Sequence, residues 1–520
     1  MVRAKTPSFV CELPLTVTPA DELELSIRLD CARMVYNACL GESLKRLERL
    51  RGTEAYQAAR RMPKGAKNSP AAQARRAAFC AANEQAGFRE YDLHAYATQF
   101  SHAWLGEHLD SNTVQKAATR AFLAVQQYAI GKRGKPRFRG RGWFDSVEGK
   151  TNASGILWRE NAVRWLGLEL PAIINPEDEV LAHGLSSEVK FVRLVRRKLN
   201  GRVRFYAQLI CAGQPYRKDR HPLGQGVVGL DIGPSTIAMV SASEASLERF
   251  CDELQNRQKE IRRMQRKLDR QRRANNPDNY NANGTVKPGR LEWHYSRRYV
   301  RTRAHLAELH RKQAAHRKSL HGSMVNRILA QGDVIKWEKL SYCAFQRKYG
   351  RSVNFRAPGT FVNQLRRKAG NAGAEVDEFP TATTCLSQIC VCGAKEKKPL
   401  SQRWHVCACG VGPVQRDLFS AWLARYVKDE RLDAGQAQAA WPGEDERLRA
   451  ASRMIQPAMG QGQPGPNPAK GQSWSPAQSG FGVSEACHGD SFAVAGKLAD
   501  QPEPPAFRRW GVVRSTSNLN

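Results

Sequence analysis

Three carboxylates and four thiols carry most of the chemistry open to this sequence. Asp231 lies in the apolar run Val227-Val-Gly-Leu-Asp-Ile-Gly233, and Glu338 ends Val334-Ile-Lys-Trp-Glu338. Asp417 follows Gln415-Arg416 and opens the amphipathic stretch from Leu418 to Val427. An acid within a hydrophobic strand is costly unless something satisfies it, and a divalent cation does so. Two Mg²⁺ ions about 3.5–4 Å apart, held by three or four carboxylates, activate water and stabilise the leaving oxygen of a phosphodiester. Hard oxygen ligands suit Mg²⁺ or Mn²⁺ rather than zinc. Any one such acid, taken alone, reads as well as a turn-former, and Asp417 could simply cap its helix. The order Asp, Glu, Asp around a cysteine cluster is far more specific.

The thiols are paired. Cys390-Val-Cys392-Gly and Cys407-Ala-Cys409-Gly are matched knuckles separated by fourteen residues. Four thiolates in two turns suit a closed tetrahedral Zn²⁺ site with no open position for catalysis. Zinc knuckles usually carry two or more residues between their cysteines, so Cys385 or His405 stands as a substitute for one ligand. The other eight of the thirteen cysteines are scattered singly, as buried small side chains in a reducing compartment are.

The elements that must position these groups differ along the chain. Over 520 residues, Lys and Arg outnumber Asp and Glu by 82 to 49, a formal +33. Residues 430–520 hold nine cations and nine acids, so the whole excess belongs to residues 1–429. That excess points to nucleic acid as partner. No apolar run reaches the roughly 18 residues of a membrane span, so the expectation is a cytoplasmic, nucleoid-associated protein with no membrane partner. Phe9 to Val17 alternates like a strand, 23–130 reads as helical, and 156–212 returns to short antiparallel strands. Between them, Gly131-Lys-Arg-Gly-Lys-Pro-Arg-Phe-Arg-Gly-Arg141 packs six cations around one aromatic ring. Lys132, Arg133, Lys135, Arg137, Arg139 and Arg141 suit a phosphate track, with Phe138 as a stacking face. Residues 252–320 read as a very basic helical hairpin, and 431–520 as a low-complexity, disordered tail with one short helix near 445–454.

These residues resemble the TnpB family, insertion-sequence-encoded nucleases related to compact type V CRISPR effectors. Gly229-Leu-Asp-Ile-Gly233, Trp337-Glu338 and a four-cysteine knuckle before Arg416-Asp417 are similar to that family's RuvC-like domain. Leu29-Asp-Cys-Ala-Arg-Met-Val-Tyr-Asn37 resembles its N-terminal segment, and Lys135-Pro-Arg-Phe-Arg139 its Pro-Arg-Phe-Lys segment. Three departures stand out: the one-residue knuckle spacing, Gln415 and Phe419 in place of an acid and an Asn, and the long tail.

The resemblance implies a multidomain α+β chain. An RNase H-like (RuvC) α/β nuclease domain (224–384 and 411–430) would carry an inserted zinc knuckle (385–410). An N-terminal β-barrel-like wedge domain (1–22 and 131–222) would be interrupted by a helical recognition lobe (23–130). Guide RNA would pair with target DNA beside a short flanking motif, and the one nuclease site would cut. Asp231, Glu338 and Asp417 would hold Mg²⁺ or Mn²⁺, and Cys390, Cys392, Cys407 and Cys409 would hold Zn²⁺. A compact type V CRISPR effector and a cleavage-silent RNA-guided DNA-binding protein are the alternatives. A transposase would share the acids, but no separate helix-turn-helix end-binding domain is evident.

If the charge excess is a polyanion site, affinity for a structured RNA falls steeply with salt. With six to ten phosphate contacts the loss between 50 and 200 mM salt is on the order of 10³-fold or more. Fluorescence anisotropy showing salt-independent binding would remove the phosphate-tracking reading.

Overall fold

The computed structural model describes residues 7–66, 68–399 and 402–458, so the tail expected beyond 458 lies outside the described residues. Two compact units divide the chain: one takes in the residues up to Phe250 with Gly322–Met454, the other is built around Cys251–His321. Among the described residues, no helix is long and apolar enough to cross a membrane.

The first unit begins with β1 (Ser8–Pro14), which turns Phe9, Cys11 and Leu13 inward and Val10 outward, the period-two pattern of a half-buried strand. Thr18 then caps α1 (Pro19–Gly52) reciprocally: its hydroxyl accepts from Asp21 N at 3.2 Å, and the Asp21 carboxylate accepts from Thr18 N at 3.0 Å. Leu25, Leu29, Ala32, Tyr36, Cys39 and Leu47 form the buried stripe of α1 at helical spacing. The helical lobe continues through α2 (Glu54–Arg61), α3 (Pro70–Gln85), α4 (Glu90–Ser101) and α5 (Ser111–Ala129), with α5 packed along α1.

Strands follow: β2 (Ser146–Glu148), β3 (Leu157–Arg159), β4 (Ala162–Trp165) and β5 (Leu168–Pro171). After α6 (Glu179–Ser186) come the long β6 (Val189–Leu199) and β7 (Arg202–Ala212). Strands β1-β7-β6-β2 form one antiparallel sheet and β3-β4-β5 another, bridged at Leu15 and Ala172. The helical lobe is therefore an insertion between β1 and the strand it pairs with.

A five-stranded sheet runs β10-β9-β8-β11-β12, with β8 (Val227–Ile232), β9 (Thr236–Val240), β10 (Ala245–Arg249), β11 (Val334–Lys339) and β12 (Glu375–Pro380). The first three make an antiparallel meander, whereas β11 is parallel to both β8 and β12. A parallel neighbour needs a long crossover. The one between β10 and β11 holds α7 (Gln258–Asn275) and α8 (Arg297–Gln331); that between β11 and β12 holds α9 (Tyr342–Arg356) and α10 (Pro358–Ala372).

In the second unit, Asn276 ends α7 by donating to Arg272 O and His294 O, both at 2.9 Å, and accepting from His294 N at 2.6 Å. Tyr295 and Tyr299 stack at 4.7 Å between ring centroids, with the Arg303 guanidinium over both. Two helices, α7 and α8, occupy the stretch read from the sequence as a basic helical hairpin over 252–320, and α8 runs eleven residues past 320, to Gln331.

The chain closes with α11 (Thr381–Thr384), the short pair β13 (Trp404–His405) and β14 (Val414–Gln415), and then α12 (Arg416–Ala424). A hairpin, β15 (Val427–Lys428) and β16 (Arg431–Leu432), leads into α13 (Ala434–Ala458). This corrects the tail boundary at 431, because α13 is a 25-residue helix that buries Ala437, Trp441 and Leu448. Pro442-Gly443 in its middle reads as a breaker in sequence. In the fold, Trp441 packs edge-on against Phe419 at 5.5 Å and Trp422 at 5.2 Å, and that aromatic contact holds the helix through the break.

Helix α12 lies directly on β8 at Gly229. A Cβ there would sit 1.9 Å from Ala421 O, inside any van der Waals limit. Gly229→Ala must push α12 off the sheet, an overpacking cost of about 1–3 kcal/mol or more. Thermal melting several degrees below wild type is expected. An unchanged melting temperature would mean that this contact is looser than drawn.

Candidate nuclease centre

Asp231 and Glu338 end adjacent parallel strands. In the β8–β11 register Leu230 faces Trp337, so the next residues, Asp231 and Glu338, come abreast on the same face of the sheet. Neighbouring strands lie about 4.8 Å apart, close enough for two carboxylates to share a ligand. A pocket at this edge is lined by Leu230, Asp231, Ile232, Glu338, Leu340, Leu386 and Ser420. The Glu338 carboxylate is held from one side, accepting from Thr384 Oγ1 at 2.9 Å and Leu386 N at 3.2 Å.

Asp417 arrives from α12, in the first turn of the helix that packs on β8 and β9. Gln415 is the N-cap: its side-chain oxygen accepts from Leu418 N at 2.8 Å. The Gln415 N–H donates in turn to Ser452 Oγ on α13 at 3.0 Å. Arg425 pairs with Glu444 at 3.1 Å, and Arg447 donates to Ser241 O at 2.9 Å. The helix start that aims Asp417 is thus fixed by α13. Both positions that depart from the family pattern have structural work: Gln415 caps, and buried Phe419 stacks on His405 at 4.1 Å and against Trp422 at 5.7 Å.

The charges of the other two acids act on Asp231. Burial first, then the negative charges of Asp417 and Glu338, push the Asp231 carboxyl well above its ordinary range, against smaller opposing pulls from Arg416 and Arg403. Burial also raises Glu338, against the hydrogen bonds from Thr384 and Leu386. Arg416 and Arg403 approach Asp417 at 3.5 and 3.8 Å. Beside the acids, Ser420 Oγ is buried and has no hydrogen-bond partner among the described residues. A polar atom left so costs roughly 1–3 kcal/mol. Oxygen donors that repel one another and an orphaned hydroxyl fit a divalent cation bound among them.

The four knuckle cysteines come together, with their sulfurs all within 4.8 Å of one another. Cys390 and Cys409 lie 3.6 Å apart, as do Cys392 and Cys407. The one-residue spacing works because each Cys-x-Cys-Gly closes the same turn. Cys390 N donates to Ala394 O and Gly393 N to Cys390 O; Cys407 N donates to Val411 O and Gly410 N to Cys407 O. Gly393 and Gly410 take the required left-handed backbone, at φ 83° and 91°. Backbone hydrogen bonding pulls the Cys407 thiol down to about 7, while burial raises Cys390. This donor set suits tetrahedral Zn²⁺. His405, weighed as a substitute ligand, is turned to Phe419 and Lys398 instead, and Cys385 donates to Ala382 O at 3.6 Å. Arg416 reaches from the start of α12 to the loop between the knuckles, donating to Pro399 O at 3.3 Å and Gln402 O at 3.0 Å.

The basic loop 131–141 has no regular structure, and Lys132, Lys135, Arg137, Phe138 and Arg141 are exposed while Arg133 and Arg139 are half-buried. Its root is fixed to α1. Asn37 Nδ2 donates to Arg139 O and Arg139 N to Asn37 Oδ1, both at 2.8 Å, a side chain pairing like a strand. The two N-terminal segments singled out in the sequence therefore meet at this clamp, which was not legible from either alone. Thr384, Ser420 and Ser452 were also missed. Ser420 had a signal, since it lies three residues after Asp417 on one helical face.

No family model matches this chain, and no curated protein does. Among solved structures it is similar to a Cas12f1–sgRNA–target DNA complex, at 10% identity over 80% of this chain and 98% of that one, with a TM-score of 0.42. A CRISPR-Cas12f ternary complex is similar at 12% identity over 77% of this chain and 81% of that one, with a TM-score of 0.25.

The knuckle geometry makes a direct prediction. Cys407→Ser should release zinc and unfold the two turns, since structural zinc contributes directly to folding there. Elemental analysis should give one zinc per wild-type chain and less in the variant. Wild-type protein without zinc would refute the four-thiolate site.

Proposed function

We propose that this chain is an RNA-guided, divalent-cation-dependent DNA endonuclease of insertion-sequence origin, with a RuvC-like, RNase H-type centre. One observation carries the nuclease reading: Asp231, Glu338 and Asp417, 186 residues apart in the chain at their widest, belong to one sheet edge and the helix start packed on it. The strand order, with three antiparallel strands followed by two parallel ones, supports an RNase H-type assignment. The guide RNA and target DNA are inferred from the charge excess in residues 1–429, the basic loop 131–141 and the resemblance to TnpB proteins. The recognition lobe 23–130 and the wedge domain 1–22 with 131–222 are part of the same proposal.

When bound, a divalent cation supplies positive charge to the attacking and leaving oxygens of the phosphodiester. The protein's own groups would hold it. Asp231 and Glu338 present oxygens from the rigid strand ends, and Thr384 with Leu386 fixes the Glu338 oxygen that they do not leave free to turn. Asp417 closes the set from α12, oriented by the Gln415 cap. Leu230, Ile232, Leu340 and Leu386 line the pocket with apolar side chains, which lowers the local dielectric and strengthens charge interactions inside it.

Asp231→Ala, Glu338→Ala and Asp417→Ala should each lower cleavage of guide-matched plasmid in Mg²⁺ by several orders of magnitude. Guide and target binding should stay near wild type, because it depends on Lys, Arg and base pairing. Full cleavage by any one variant would take that acid out of the centre. Wild-type protein that binds but never cuts would leave a cleavage-silent DNA-binding protein instead.

A further inference from the structure

Ser420 is the unexplained group in the acid pocket. It is 4% exposed, lines the pocket with Asp231 and Glu338, and its hydroxyl has no partner among the described residues. Two other helical hydroxyls bond back to a carbonyl one turn earlier, Thr302 to Arg298 O at 2.9 Å and Ser452 to Leu448 O at 2.7 Å, while the buried Ser43 hydroxyl of α1, far from any acid pair, also lacks a partner among the described residues. Ser420 does not bond back. The remaining lining side chains, Leu230, Ile232, Leu340 and Leu386, offer it no polar atom. A small apolar residue would fill the same helix–sheet contact without leaving a buried oxygen unsatisfied.

We infer that the Ser420 hydroxyl oxygen is a fourth protein ligand of the divalent cation, an inference that rests on the nuclease reading above. Ser420 follows Asp417 by three residues on α12, so both project from one face of the helix toward the ends of β8 and β11. Mg²⁺ and Mn²⁺ take about six oxygen ligands, more than three carboxylates supply without crowding negative charge. A neutral hydroxyl adds an oxygen donor and no further repulsion, in a pocket that already holds two carboxylates. Serine hydroxyls serve Mg²⁺ in this way in phosphate-binding loops.

The test is Mn²⁺ titration of zinc-loaded protein by electron paramagnetic resonance, counting the binding that Asp417→Ala abolishes. Ser420→Ala should weaken that binding about tenfold or more, the range seen when supporting ligand contacts are removed, and Ser420→Thr should retain it. Melting without added Mn²⁺ discriminates a packing role. Ser420→Ala should melt at or above the wild-type temperature there, because the unsatisfied hydroxyl is gone, yet gain less from Mn²⁺. Equal Mn²⁺ affinity in wild type and Ser420→Ala would overturn the assignment, as would a drop in the cation-free melting temperature matching the affinity loss. Wild-type protein with no Asp417-dependent Mn²⁺ binding would instead overturn the nuclease reading beneath it.

Discussion

The approach of α12 to β8 at Gly229 is the contact on which the candidate centre depends. Two acids come from strand ends, and strands alone can place them side by side. The third comes from a helix, whose backbone is ordinarily held off a sheet by the side chains between them. Removing one side chain lets Ala421 O occupy the space where a Cβ would stand. At Gly229 the missing side chain gives close approach to the helix that brings Asp417.

A helix set so near a sheet must also be stopped from sliding or rotating. Three connections do this from different directions. The Gln415 cap is held by Ser452 on α13, Arg416 grips the loop between the cysteine knuckles, and Phe419 stacks between His405 and Trp422. Knuckle, helix and C-terminal segment thereby form one support for a single carboxylate. Such outer contacts decide whether a ligand set keeps its geometry.

The legible parts of the site were those with local signals. Asp231 and Glu338 stand out because each ends an apolar run, and β8, β9 and β11 fall where period and composition place them. The cysteine pairs are conspicuous through their repeated glycines. What stayed hidden has physical reasons. Strand β12, Glu375-Val-Asp-Glu-Phe-Pro380, has three acids in six residues because it is an edge strand with only Phe379 fully buried. Helix α13 is masked by Pro442-Gly443, and the cap at Gln415 by a residue type that is not among the usual caps. The Asn37–Arg139 clamp joins residues 102 apart, and no local pattern announces such a pairing.

The parallel pairing of β8 with β11 has a consequence for how the protein is made. The meander β8-β9-β10 has short-range pairings and can form as soon as its residues are available, while α7 and α8 need only local contacts. Glu338 joins Asp231 only after the intervening hundred or so residues have been synthesised, and loop closure over that distance is slow relative to local folding. Asp417, and Ser452 behind its cap, come later still. During translation the chain therefore acquires its basic surface well before its complete acid set. On the ribosome, the basic surface of a nascent chain stands complete while the candidate centre is still missing two of its contributors.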